Sequence, residues 1–397
     1  MLAATARLAA QSVFSTPEFT LPQNDYQAQQ NPIVSSQDNE AVPQFPPSPL
    51  QLGPLLIDPH ALYRYSYSKG IQAGPGRPLN TDIQEFAPGV LVSLGSHWFL
   101  DYTPTWTFYS NAGFRNTVDE SVALNGGTTY QDWILGVSQS FVSSTPSLIE
   151  TGAQTKQKTY ATHVSADYHL GGNLDLNSIF NQNIQVVEHY PSSYDWSDTE
   201  QLRYQFPAGF NAGAGFLVGY TVVQPGVDMS YVEPQAVASW KVTDKIVVSA
   251  DGGIENRQFH VSGAGSRNYI VFSANVDYQP VKTTEITLGA NRGVAPSLFV
   301  DQEIETVQWN LTLRQRLIRR FYLNVGYTFA NIDYTSSGGM AVADRKDANN
   351  AWNLSLSTVL LRRFSVDVFY QNSHNSSNAV GYSFSSSEVG ADVSVRF

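Results

Sequence analysis

The chain has 397 residues, enough for two soluble domains or one large barrel, and its charged content of 14% is far below the roughly 25% of ordinary soluble domains. A net charge of -11 without any basic stripe excludes a nucleic-acid partner, whose phosphates require a basic face. Cysteine is absent, which excludes a disulfide framework and a thiolate metal site; no cofactor is expected, and no run approaches the roughly 18 apolar residues of a spanning helix.

The opening M-L-A-A-T-A-R-L-A-A-Q-S has neither the charged n-region nor the apolar core of a secretory signal. For an exported chain, the expectation is a truncated or misassigned start. Residues 1–54 are rich in Pro and Gln, with Pro43, Pro46, Pro47, Pro49 and Pro54 close together and little periodicity. They read as a disordered or extended leader, with a pore plug as the alternative. Residues 55–397 form the second unit.

From Ala61 onward, apolar and polar residues alternate, beginning with Tyr63, Tyr65 and Tyr67 against Arg64, Ser66 and Ser68. Val90 and Val92 lead to the turn signal Gly95-Ser96. A strand follows with Trp98, Leu100, Tyr102, Pro104, Trp106 and Phe108 on one face. Its two tryptophans are eight residues apart, about 20 Å along a membrane normal at a tilt near 40°, so they suit two interfacial belts. Trp240, Trp309 and Trp352 join Trp98 and Trp106 as belt candidates.

The same unit then repeats. Alternation predicts strands over 61–68, 83–94, 97–109, 130–142, 147–155 and 157–170, and twelve more between 173 and 397, for 18 in all with 16 as the alternative. Short turns are expected near 95, 144, 172, 212, 244, 281, 319 and 362, and longer Gly/Asn/Ser/Asp-rich connections at 110–129, 187–198, 259–267, 294–304, 334–349 and 373–385. The last strand, 386–397, sets Val389, Ala391, Val393, Val395 and Phe397 on one face and ends on an aromatic.

That terminal strand resembles the C-terminal assembly signal of bacterial outer-membrane β-barrels, and the segment from Pro88 to Trp106 resembles the opening hairpin of putative β-barrel porins. The resemblance implies an all-β, transmembrane antiparallel barrel in the outer membrane of a Gram-negative-type bacterium, with short periplasmic turns and longer outer loops. It also implies that outer-membrane lipid, the barrel assembly machinery and small hydrophilic solutes are partners, and that Val393, Val395 and Phe397 carry the assembly signal.

For chemistry, His163, Ser165, Asp167 and His169 share one face of a strand, but alternate residues stand about 7 Å apart, too far for direct triad bonds. His163 and His169 are about 20 Å apart, which excludes one shared metal site. No catalytic residue is expected. The lumen-facing candidates are Asp101, Asp132, His163, Asp167, Arg203, Asp251, Glu255, Asp277, Arg314, Asp367, Asp392 and Arg396. Acidic groups prevail among them, and acidic walls favour cations. The function expected is a porin-like channel for passive diffusion of small hydrophilic solutes, with weak cation selectivity. The alternative is a plugged barrel that serves as a surface anchor or as the outer-membrane part of an export or polysaccharide-secretion system.

Overall fold

The computed structural model describes residues 50–397 except 96, 264, 319, 338–343 and 362, so most of the leader lies outside the described residues. Eighteen antiparallel strands close into one barrel. The first six are β1 (Leu55–Gln72), β2 (Pro78–Leu94), β3 (Trp98–Tyr109), β4 (Thr117–Tyr130), β5 (Trp133–Ser144) and β6 (Gln157–Gly171). Next come β7 (Leu174–Val187), β8 (Ser192–Phe206), β9 (Phe210–Gln224), β10 (Met229–Thr243), β11 (Ile246–Phe259) and β12 (Ser266–Val281). The last six are β13 (Thr284–Pro296), β14 (Gln302–Ile318), β15 (Phe321–Ser336), β16 (Arg345–Leu360), β17 (Phe364–Ser377) and β18 (Phe384–Arg396).

Each strand pairs with its sequence neighbours, and β18 closes on β1, with Tyr63 opposite Val393, Tyr65 opposite Ala391 and Tyr67 opposite Val389. The Phe397 amide donates to the Pro59 carbonyl at 3.0 Å and ends the seam. Beyond that point the short strand Leu50–Leu52 takes over pairing with the start of β1.

The alternation read from sequence is realised as two faces. Along β1, Tyr63, Tyr65 and Tyr67 are 47%, 47% and 43% exposed, while Leu62, Arg64, Ser66 and Ser68 are buried on the inner side. Exposed Leu100, Phe216, Val232, Ile270, Leu311, Leu354, Val368 and Val389 continue the outer face around the barrel. A closed sheet wearing an apolar belt outside and polar groups inside is the outer-membrane type of barrel, in which no backbone edge meets lipid.

Connections on one side are two or three residues long, and those on the other are four to twelve. Both the start of β1 and the end of β18 lie on the short-turn side. The tightest short turns use backbone that favours glycine, as at Gly171 and Gly172 with φ of 105° and 65°. Strands run longer than alternation alone indicates: β1 has 18 residues, about 60 Å, whereas an apolar band of about 25 Å needs only about ten tilted residues. The surplus extends the wall on the loop side, where both faces can be polar.

Two expectations fail and offset each other in the count of 18. The stretch 110–129, expected to be a loop, contains β4, in which acidic, Gly and Thr residues blur the period. The stretch 147–155, expected to be a barrel strand, is instead a tiny hairpin pairing Ser147–Leu148 with Ala153–Gln154 apart from the main sheet. The strand expected at 130–142 therefore runs in the opposite direction, away from a short turn at 131–132, and the turn expected near 144 opens the longest connection instead.

Gly219 on β9 lies opposite Tyr231 on β10, and a Cβ there would overlap the phenol Cζ and Oη. Tyr231 is 1% exposed, and its hydroxyl donates to the Asp195 carboxylate at 2.9 Å. Gly219→Ala should destabilise the barrel by about 1–3 kcal/mol through overpacking, seen as a lower transition temperature in heat-modifiable gel mobility. An unchanged transition would mean the ring has room to move.

Candidate functional site: the loop-side mouth and the inner wall

The connection 145–156 between β5 and β6 folds across the mouth. Near its own wall, Gln154 exchanges two hydrogen bonds with the backbone of Arg115, in the β3–β4 loop, at 2.8 and 3.3 Å. Further in, the Ser147 hydroxyl donates to the Gln72 carbonyl at the end of β1. At its tip, Glu150 Oε1 accepts from the Ser297 hydroxyl and the Leu298 amide, both at 2.6 Å, in the loop between β13 and β14. Arg345 on β16 donates to the carbonyls of Glu150 at 2.7 Å and Ile149 at 3.0 Å. Leu148 packs on Val187 and Leu298, and Ile149 packs on Phe384 of β18. One segment thus joins its own side of the barrel to strands across the opening.

The charges at this junction are unequally met. Arg345 is committed to Asp347, with Nη2 and Oδ2 2.5 Å apart, and lies 3.7 Å from the Tyr382 ring centre. Glu150 is 3% exposed, and its second oxygen has no hydrogen-bond partner among the described residues. Burial pushes its carboxyl up from 4.5 to about 7, an effect only partly offset by the Ser297 and Leu298 hydrogen bonds and by Arg345.

Lower in the lumen, closure assembles a row across four strands. Asp367 of β17 stands opposite Asp392 of β18, Asp392 opposite Arg64 of β1, and Arg64 opposite Glu85 of β2. Arg64 reaches Asp392 at 3.1 Å and Glu85 at 3.3 Å, with its guanidinium 5.2 Å from the Phe369 ring centre. Two carboxylates thus bind one guanidinium, with Asp367 beside them in the row. Sequence reading placed Arg64 on the polar face but missed Glu85, Glu150 and Arg345, whose significance depends on contacts up to 196 residues away.

The remaining candidates are dispersed. Asp101 accepts from Thr103 at 2.9 Å and lies 3.8 Å from His60. His163 bonds Asn181 at 2.8 Å and Asp167 accepts from Asn177 at 2.5 Å, while His169 pairs with Asp175 at 2.7 Å, so the three engage different residues of β7. Arg203 donates to Gln201 at 3.1 Å, with Asp251 and Asp167 in its field. Asp277 accepts from Asn275 and Thr287, Arg314 lies over the Tyr322 ring, and Arg396 pairs with Asp58 at 3.2 Å.

Two candidates are not on an open wall. Asp132 sits in the turn 131–132 at the rim. Glu255 is sealed at 1% exposure against Arg257, which also binds Glu303 at 2.7 Å. Of the belt candidates, Trp98 and Trp240 stand near the short turns, while Trp106, Trp309 and Trp352 lie about eight residues further toward the loops. All but the half-buried Trp106 are exposed. Val393, Val395 and Phe397 lie along the seam, with Val393 and Phe397 44% and 47% exposed.

No family model and no curated protein matches the chain. Among solved structures, it is similar to Pseudomonas aeruginosa OccK2 (OpdF), with 11% identity and a TM-score of 0.48 over 86% of this chain and 98% of that one. The outer membrane protein OpdK of the same species gives 11% and 0.46 over 86% and 99%. The siderophore receptor PirA of P. aeruginosa gives 6% and 0.44 over 86% and 80%. These are likenesses of barrel architecture and carry no further argument.

The Glu150 junction predicts a pH response with a definite sign. A carboxyl held at about 7 inside the mouth but near 4.5 outside it stabilises the crossing most below 4.5 and progressively less as pH rises to about 7. Conductance in a planar bilayer should therefore rise across that window, whereas Glu150→Gln, which keeps the acceptor but not the charge, should give a flat profile. A wild-type profile that falls with rising pH would contradict this assignment.

Proposed function

We propose that the chain is an outer-membrane channel for passive diffusion of small hydrophilic solutes, narrowed at its loop-side mouth by residues 145–156 and weakly cation-selective along its wall. The observation that carries this reading is the closed barrel of 18 strands, polar inside and apolar outside, since barrels of 16 to 18 strands enclose an aqueous lumen. The row Asp367, Asp392, Arg64 and Glu85 supports the cation preference, because it leaves net negative charge on the wall where permeating ions pass.

Purified protein in a planar bilayer should give discrete conductance steps, and replacing residues 147–154 by a short Gly-Ser link should raise the step size severalfold. Under a KCl gradient the reversal potential should favour potassium, and Asp367→Asn with Asp392→Asn should reduce that preference. A chloride preference in the wild-type protein would sink the selectivity claim while leaving the channel intact.

One observation favours a second reading. The loop-side interior is packed at several points, with Leu148, Ala330, Met229 and Tyr231 at 0–1% exposure. A barrel sealed there would serve as an anchor or as part of an export system. A silent wild-type protein that conducts only after removal of 147–154 would select this reading.

The outward Val393, Val395 and Phe397 at the seam support recognition by the barrel assembly machinery. Phe397→Asp should lower the yield of heat-modifiable barrel far more than the conductance of the folded fraction; a wild-type yield would remove that role.

A further inference from the structure

The short-turn rim is asymmetric in charge. The turns at 95–97, 131–132, 172–173 and 207–209 contain no Lys or Arg. The next four all do: Lys245 in 244–245, Lys282 in 282–283, Arg319 and Arg320 in 319–320, and Arg362 and Arg363 in 361–363. Strands β10 to β17 pair in sequence order, so these turns form a continuous crescent, about 30 Å measured across the strands at about 4.8 Å each. In a chain of net charge -11, the described Lys245, Lys282, Arg320 and Arg363 on one arc of one rim are a marked concentration.

The apolar residues beside them indicate what they face. Turn tips are ordinarily polar, yet Val281, Ile318 and Leu361 are 54%, 71% and 80% exposed. Two of the turns repeat one design, Leu317-Ile318-Arg319-Arg320-Phe321 and Leu360-Leu361-Arg362-Arg363-Phe364, each with two apolar residues, two arginines and a phenylalanine. Lys245, Lys282 and Arg320 are exposed, and Arg363 is half-buried. Lys245 donates to the Pro280 carbonyl at 2.6 Å, and the exposed Asp244 pairs with Lys241.

A basic residue immediately below the edge of an apolar belt lies at the depth of lipid phosphates, and a guanidinium meets phosphate with a matching fork of donors. We propose that the rim from the β10–β11 turn to the β16–β17 turn holds the headgroups of anionic phospholipids in the leaflet on the short-turn side, while Val281, Ile318 and Leu361 enter the acyl region. The assignment requires only that the barrel be inserted in a bilayer, so it stands or falls separately from conduction.

The test reconstitutes the full chain in vesicles of equal phosphatidylglycerol and phosphatidylcholine, extracts it mildly and measures retained lipid by native mass spectrometry. Severalfold enrichment of phosphatidylglycerol is expected, lost in Lys245→Gln/Lys282→Gln/Arg320→Gln/Arg363→Gln and kept in the loop-end control Arg115→Gln/Lys158→Gln/Lys346→Gln. Equal retention of both lipids by the wild-type protein would overturn the proposal and direct attention to a soluble acidic partner; this arm does not depend on any variant folding. Equal enrichment in the crescent variant would also overturn it. A rise in the heat-modifiability transition with inorganic phosphate matching that with phosphatidylglycerol vesicles would reduce the crescent to a general anion site.

Discussion

In hydrocarbon there is no water to satisfy a backbone N–H or C=O, and that constraint dictates the rest of this structure. A sheet of any length has two edges, and only joining them removes the unpaired groups. Here the joint is the pairing of β1 with β18, which runs from Lys69 opposite Ser387 to His60 opposite Arg396. The residues joined are far apart in the chain: Arg64 and Asp392, bonded through their side chains, are separated by 328 positions. This charged row of the inner wall is therefore a product of closure. Were the seam to open, Asp367 and Asp392 would remain neighbours on β17 and β18 with their shared cation gone, so closure supplies the counter-charge that makes this row tolerable.

Closure at this strand number creates a second problem. Eighteen strands at about 4.8 Å and a tilt near 40° enclose a barrel about 35 Å across between backbones, wider than side chains alone can fill. The loop-side mouth meets this with chain and with long side chains. Residues 145–156 go out and back and so reach about 20 Å, roughly to the axis, where the β13–β14 loop and Arg345 meet them from the far wall. Backbone carbonyls, the Leu298 amide and the hydroxyls of Ser147 and Ser297 supply most of the partners. Because Arg345 is already paired with Asp347, it offsets the burial of Glu150 only in part, and Glu150 makes the junction sensitive to protonation.

Much of this was legible in the sequence. Hairpins such as β14–β15 and β16–β17 announce themselves because their outer faces repeat Trp, Leu and Phe against Asn, Ser and Thr, and a period of two is all that a strand requires. β4 was not legible, because Glu120 and Gly126 interrupt its outer face while Gly127 leaves a gap on the inner one. The 147–155 segment misled for the opposite reason: Leu148 and Ile149 read as strand-forming, but they are apolar because they pack on Val187, Leu298 and Phe384 inside the mouth. Apolar residues in a loop and apolar residues on a lipid-facing strand look alike in a local window. The inner-wall charges were visible as polar positions; their pairings were not, since register across the seam and between neighbouring hairpins decides them.

The asymmetry between the two ends follows from loop length. A turn of two or three residues spans at most about 10 Å and cannot cross a barrel about 35 Å wide, so nothing in the short turns can obstruct the lumen from that side. Any narrowing built from connections must then lie at the loop end, in series with the charged row formed by Asp367, Asp392, Arg64 and Glu85. In the channel proposed above, a solute entering from the loops meets the 145–156 crossing with Glu150 first and the charged row of the wall afterwards. On the reading proposed above, size exclusion and ion preference would rest with different residues at different depths, and each could be altered without the other.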